Sequence, residues 1–196
     1  KIQTTEQIQQ QAKSIYKDTE RHPGQRLDEA LQVLSQLNLA DTDNHETLGL
    51  AGAIYKRKWQ YSGQVQFLDQ ALAFYRKGHH ETGTELSDQG YNGINAAFLL
   101  DMKASLLQKD KALHLNNQTE VADLIEEARA IRQALIAGLK DSVIDLAAPE
   151  LEANAEEPEE GADNAVTREL TKEQISDQWW TLMTLAEALF GLQEFA

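Results

Sequence analysis

Three adjacent bases, Lys56-Arg57-Lys58, form the densest positive cluster in a chain of net charge -14. Such a cluster suits recognition of a phosphate or an acidic peptide, because an ammonium supplies a point charge and a guanidinium a bidentate fork. The plainer role of bases near a helix C-terminus is to favour the macrodipole and solubility. Tyr91, Asn92 and Asn95 make a second constellation, with the two asparagines on neighbouring positions of one helix side. In a concave groove their amides would clamp a peptide backbone or a nucleotide base. If buried, they would instead satisfy interhelical hydrogen bonds and fix the register between repeats. Adjacent Trp179 and Trp180 cannot both face one core, so one packs and the other is an edge or groove aromatic that can anchor a partner. The candidate partner-binding set is Tyr55, Lys56, Arg57, Tyr91, Asn92, Asn95 and Trp180.

Catalytic constellations are not found in the sequence. It holds no G-x-S-x-G elbow, no phosphate loop and no H-E-x-x-H. His79 and His80 are sequence neighbours that would point apart on a helix. His22, His45 and His114 stand alone beside turns, and Glu126-Glu127 reads as a wet helix face. Without a single cysteine there is no disulfide, thiolate metal site or Cys nucleophile. The expectation is a binding protein that is not an enzyme and needs neither cofactor nor metal.

With 196 residues the chain can bury a sizeable core, as one domain or as one run of stacked repeats. Its acidity disfavours duplex nucleic acid and anionic membranes as partners. No stretch approaches the roughly 18 apolar residues a membrane helix needs. Seven carboxylates and no base lie within residues 149–163, which supply half of the net charge. The lack of cysteine suits a reducing compartment, and a cytoplasmic location is expected. The chain opens on Lys1 and its last periodic segment is still running at Ala196, as expected for part of a longer protein.

Hydrophobic stripes at helical spacing place the elements that would position these residues. The first helix covers about residues 5–20, with Ile8, Ala12, Ile15 and Tyr16 on one stripe and Thr4 with Gln7 as a capping box. Pro23-Gly24 interrupts the chain, and a second helix reaches about residue 38. The third starts with Asp43 and Glu46 in cap positions. The turn at Ser62-Gly63 leads to a fourth, and a polar run from His79 to Gly90 precedes a fifth at Tyr91. A sixth spans about 118–145. The acidic stretch reads as a loop, and Thr171 with Gln174 caps a seventh helix containing Trp179 and Trp180. The expected fold is all-α: a solenoid of divergent helical hairpins with about seven helices. It divides into an N-terminal hairpin (1–42), two repeat-like hairpins (43–146), an acidic loop (147–170) and the first helix of a further hairpin (171–196).

The third to fifth helices carry a repeat. Leu48, Gly52 and Tyr55 recur at +4 and +3, as do Ala71, Tyr75 and Gly78. Small residues let crossing helices approach, and large ones fill the gaps between hairpins. This resembles the tetratricopeptide signature, although Gly52 to Asn95 spans 43 residues against about 34 for a standard unit. The strings from Glu46 to Arg57, from Ala71 to Gly78 and from Tyr91 to Ala97, closed by Trp180-Thr181-Leu182 and Leu185 to Ala188, resemble the TRAFs-binding domain family over about residues 25–196. That family includes the central regulatory region of apoptosis signal-regulating kinases and bacterial tetratricopeptide proteins. The resemblance implies a helical solenoid that regulates an attached effector or docks a signalling partner. Members of that family typically lack the strongly acidic insert.

The expected function is a non-catalytic adaptor or regulatory scaffold that binds a protein or peptide through its concave groove. Two other readings stay open. One is a sensor of a nucleotide or other phosphorylated small molecule near Lys56, Arg57 and Tyr91. The other is a structural module that forms homodimers through the open end near Trp179.

Overall fold

The computed structural model describes residues 3–83, 86–109, 117–153 and 172–193. Thr4 opens helix α1 (Thr5–Lys17) through a reciprocal cap: its hydroxyl accepts from the Gln7 amide at 3.3 Å, and the Gln7 side chain accepts from the Thr4 amide at 3.0 Å. Pro23 is the first residue of α2 (Pro23–Leu34), where its missing N–H is not needed. Helix α1 ends at Lys17 with Asp18 as its C-cap, slightly before the expected residue 20. A 3-10 turn, Ser35–Leu37, follows α2, and left-handed Asn38 stops it.

Helix α3 (His45–Ser62) is capped by Asn44, not by Asp43, because the Asn44 amide oxygen accepts from the Thr47 amide at 2.8 Å. Left-handed Gly63 closes α3, with φ of 69°. Helix α4 (Val65–Thr82) runs on through His79 and His80, which were expected in a polar connection. Then come α5 (Tyr91–Lys109), α6 (Gln118–Ala153) and α7 (Lys172–Gln193). The expected loop from residue 147 starts later, since α6 continues through Pro149 to Ala153. The Leu, Ala and Glu residues around that proline are strong helix formers, which counters the cost of its missing donor. Most of the acidic stretch and the proposed Thr171 cap lie outside the described residues.

Among the described residues seven α-helices and no strands occur, and the all-α hairpin solenoid expected above is what they form. Each helix packs on its neighbours in chain order, with α1 on α2, α2 on α3, and so on through α4, α5, α6 and α7. Helix α7 also reaches back to α5.

Helix α3 sits between two cores, and eight successive residues from Thr47 to Ile54 are buried. One face, with Leu50, Ala51 and Ile54, joins Tyr16 of α1 and Leu27 and Leu34 of α2. The other presents Ala53 to Leu72 and Tyr75 of α4 and to Leu99 and Leu100 of α5. Each fully buried leucine there contributes about 1.5–3 kcal/mol relative to an exposed one.

Small residues set the helix spacing. Gly52 lies under the Tyr75 ring, where a Cβ would come to 2.9 Å. Ion pairs between helices add to this: Lys103 of α5 meets Asp69 of α4 at 2.8 Å, and Arg76 of α4 reaches past α5 to Glu127 of α6 through its Nε at 2.6 Å. At the α5–α6 contact Arg132 pairs with Asp101, and both are largely buried.

Candidate functional site

The concave side of α3, α4 and α5 is roofed by α7, and between them lies a cavity of 530 Å³. Lys56 and Arg57 of α3 form one wall. Tyr91, Ile94 and Asn95 of α5 form the next, buried Tyr75 of α4 contributes behind them, and Trp179, Trp180, Met183, Thr184 and Glu187 of α7 cover it. A second cavity of 320 Å³ meets it at Arg57, Tyr91, Trp180 and Thr184 and extends to Lys13, Tyr16 and Lys17 of α1 and to Glu46 and Asp88. Both volumes are of the size that holds small ligands.

The basic cluster divides when the chain folds. Lys56 enters the cavity wall, and its Nζ donates to the Asn95 amide oxygen at 2.9 Å and sits 4.5 Å over the Phe98 ring. Burial pushes the Lys56 amine below its usual range, and neighbouring Arg57 acts in the same direction. Glu187 across the cavity opposes both. Arg57 rests its guanidinium 4.8 Å over the Tyr16 ring and donates to the Ala53 carbonyl at 3.2 Å. Lys58, one position on, turns away to pair with Asp28 of α2 and to cover Phe67. Two of the three bases therefore serve the cavity.

Tyr91 packs edge-on to Tyr75 with ring centroids 6.0 Å apart, and burial raises both phenols above the usual range. They stand in the wall as neutral rings with polar tips. Asn95 is held in place by donating to the Tyr91 carbonyl at 2.9 Å, which leaves its amide oxygen for Lys56.

Asn92, three residues back on α5, does not reach the groove. It is 1% exposed, and its amide nitrogen donates to the His45 carbonyl at 3.1 Å and to Asp88 at 2.8 Å. Its burial matches the alternative weighed for it, interhelical hydrogen bonding that fixes register. Glycines at 49 and 78 on the two facing helices clear the space it fills. Tyr55 also lies apart from the cavity, stacked on Phe74 at 5.6 Å and on Phe67 at 6.2 Å, where it helps join α3 to α4. Trp180 is 55% exposed and borders both cavities, as expected of a groove aromatic, but Trp179 beside it is exposed too. Neither tryptophan is a core residue.

Several wall residues were not singled out from the sequence. Gln60 follows Lys56 by one helical turn, and Glu187 follows Trp180 by two. Helical spacing from the residues already chosen would have found both. No such signal pointed to Lys13 and Lys17, because α1 has to fold back before they approach Arg57. His79 and His80 do point apart: His79 is half-buried against α5 and His80 is exposed. Among the described residues no group of three or more His, Cys, Asp or Glu could hold a metal ion. No helix among them is long and apolar enough to cross a membrane.

No curated protein and no solved structure matches this chain. A family model does: Tetratricopeptide Repeats-Sensor matches residues 2–100, from the N-terminus through most of the first cavity wall. That span covers just over half of the chain and includes the α3, α4 and α5 motifs from which the tetratricopeptide pattern was read. The chain belongs to the Tetratricopeptide Repeats-Sensor family.

Proposed function

We propose that this domain is a sensor whose concave cavity takes a small anionic ligand with a flat ring, a nucleotide or another phosphorylated small molecule. One observation carries the reading. The half-buried ammonium of Lys56 shares a wall with Arg57, opposite the exposed face of Trp180, and its hydrogen-bond partner is a neutral amide. Its other close neighbour is the Phe98 ring, so no carboxylate bonds it directly, and a phosphate oxygen would complete its pairing. Trp180 and Tyr91 supply aromatic surface on which a flat ring can stack. The family name agrees with a sensing role.

The test is a thermal-shift and calorimetry panel of mononucleotides, dinucleotides, sugar phosphates and inorganic phosphate on the 196-residue chain. A ligand at a hundred times its Kd should stabilise the fold by about 2.7 kcal/mol, and Trp180→Ala should weaken binding. If no anionic compound shifts the melting temperature, this reading fails.

The second reading is the adaptor, in which a peptide or an attached effector lies along the groove. Its support is that the two cavities share four wall residues and together form a trough. The resemblance to the TRAFs-binding domain family implies the same kind of role, regulation of an attached effector or docking of a signalling partner. A pull-down with Asn95→Ala as the control separates the two, because only a groove-bound peptide would be lost selectively.

A further inference from the structure

Helix α7 is buried on one side and apolar on the opposite, exposed one. Thr181, Thr184, Ala188 and Gly191 are buried on the side turned to the rest of the fold. On the other side Trp179, Leu182, Met183, Leu189 and Phe190 are between 44% and 63% exposed, with exposed Ala186 at the centre. Counted from Trp179 these fall at +3, +4, +7, +10 and +11, the spacing of a single helix face. A helix face turned to water normally carries charge. From Trp179 to Leu192 the sole ionisable residue is Glu187, and Glu187 borders the cavity.

We infer that this outer face docks a second copy of the same chain, α7 against α7 in antiparallel pairing. Three features select a second copy as the occupant. First, the stripe reads alike in both directions about Ala186: Leu182 and Met183 precede it by four and three residues, and Leu189 and Phe190 follow by three and four. A two-fold axis at Ala186 sets the first pair opposite the second, as a self-complementary interface requires. The small central side chain lets the two backbones approach while the larger ones flank the crossing.

Second, two copies carrying -14 each repel over most of their surface, so they can associate only where charge is absent. This stripe is such a place, and it offers a charged peptide nothing to pair with. Third, the exposed parts of two aromatic and three aliphatic side chains amount to about 500 Å² on each copy. A pair would bury about 1,000 Å², at the low end of specific interfaces, so the dimer should dissociate in the micromolar range. Trp179 and Met183 also border the cavity and so lie at the rim of the contact, with Leu182, Leu189 and Phe190 at its centre.

Sedimentation velocity over a micromolar concentration series tests this on the 196-residue chain. The unmodified chain should pass from monomer to dimer, and Leu182→Glu and Phe190→Glu should each weaken the dimer about tenfold or more, since a charge would be buried unpaired. Tyr61→Glu, at an exposed aromatic elsewhere, should leave the dimer intact. Far-UV circular dichroism checks that each variant folds. Because the chain has no cysteine, Ala186→Cys should give a disulfide-linked dimer under mild oxidation faster than Ala122→Cys on exposed α6. A chain that stays monomeric throughout overturns the inference, even if it takes up a foreign amphipathic helix. So does a dimer that survives both glutamate substitutions, or cross-linking at position 186 that is no faster than at 122.

Discussion

Gly78 of α4 faces Asn92 of α5 so closely that a Cβ on Gly78 would lie 2.6 Å from the Asn92 side-chain amide. The hydrogen at position 78 is therefore what admits a buried polar group between two helices, and that group then ties α5 to the carbonyl of His45 at the start of α3. Gly78→Ala has to displace the amide, and it should cost about 1–3 kcal/mol of stability. Asn92→Ala removes the bonds to His45 and to the Asp88 carboxylate and should cost about the same. Asn95→Ala, at a half-buried site on the cavity wall, should cost much less. Urea denaturation of the three variants gives the order directly, and an Asn92→Ala chain as stable as the unmodified one would remove Asn92 from the structural set.

The Arg132–Asp101 pair joins α6 to α5 in a largely buried setting. Among the described residues Arg132 Nε and one Asp101 oxygen have no hydrogen-bond partner. Gly191 of α7 lies directly over the guanidinium, where a Cβ would come within 2.2 Å of Nε. Asp101→Ala alone leaves a buried cation and should destabilise by about 3–5 kcal/mol. Replacing both members by apolar residues, Asp101→Leu with Arg132→Met, should recover most of that loss. A double-mutant cycle in urea is the measurement, and additive losses would mean that the two side chains act independently.

How far these relationships could be read beforehand varies with their range along the chain. The Thr4–Gln7 cap and the stripes of α1 to α5 are local patterns, set by neighbours within two turns, and they were legible. The burial of Asn92 was not. It depends on Gly49 and Gly78, 43 and 14 residues away, being small at the one place where three helices meet. Tyr55 is a second case of the same kind. It sits in the repeated motif beside Lys56, yet successive helical positions diverge by about 100°, so it faces Phe74 while Lys56 faces the cavity. The roofing of the groove by α7 was equally hidden, because Trp180 and Glu187 reach Lys56 only after α6 has been packed.

Stability should fall in mild acid through His79. Burial depresses the folded-state basicity of its imidazole, helped slightly by His80 and opposed by Asp88. The unfolded chain, with a histidine pKa near 6.5, therefore takes up the proton more readily than the folded one. Protonation then favours unfolding: the His79 contribution is fully present above the unfolded pKa and is lost as pH drops below it towards the folded value. Melting temperatures measured between pH 7.5 and 5.5 should decline, and His79→Gln should flatten part of that decline. An unchanged slope in the variant would assign the acid sensitivity to other groups.

The division of the basic cluster yields the sharpest test of the sensor reading. Lys56 and Arg57 line the cavity, whereas Lys58 is engaged by Asp28 on the other side of α3. An anionic ligand in the cavity should therefore lose affinity about tenfold or more with Lys56→Met or with Arg57→Ala, each removing a charge-assisted hydrogen bond, and be nearly indifferent to Lys58→Ala. Stability should follow a different order. Lys56→Met withdraws a desolvated cation and keeps its aliphatic stem, so the ligand-free fold should be as stable as before or slightly more. Lys58→Ala loses a surface ion pair worth at most about 1 kcal/mol, together with its cover over Phe67. Calorimetry and melting curves on the same three variants separate the two effects. If all three weaken the ligand equally, the attraction is a diffuse field of the α3 terminus and the cavity is not its binding site.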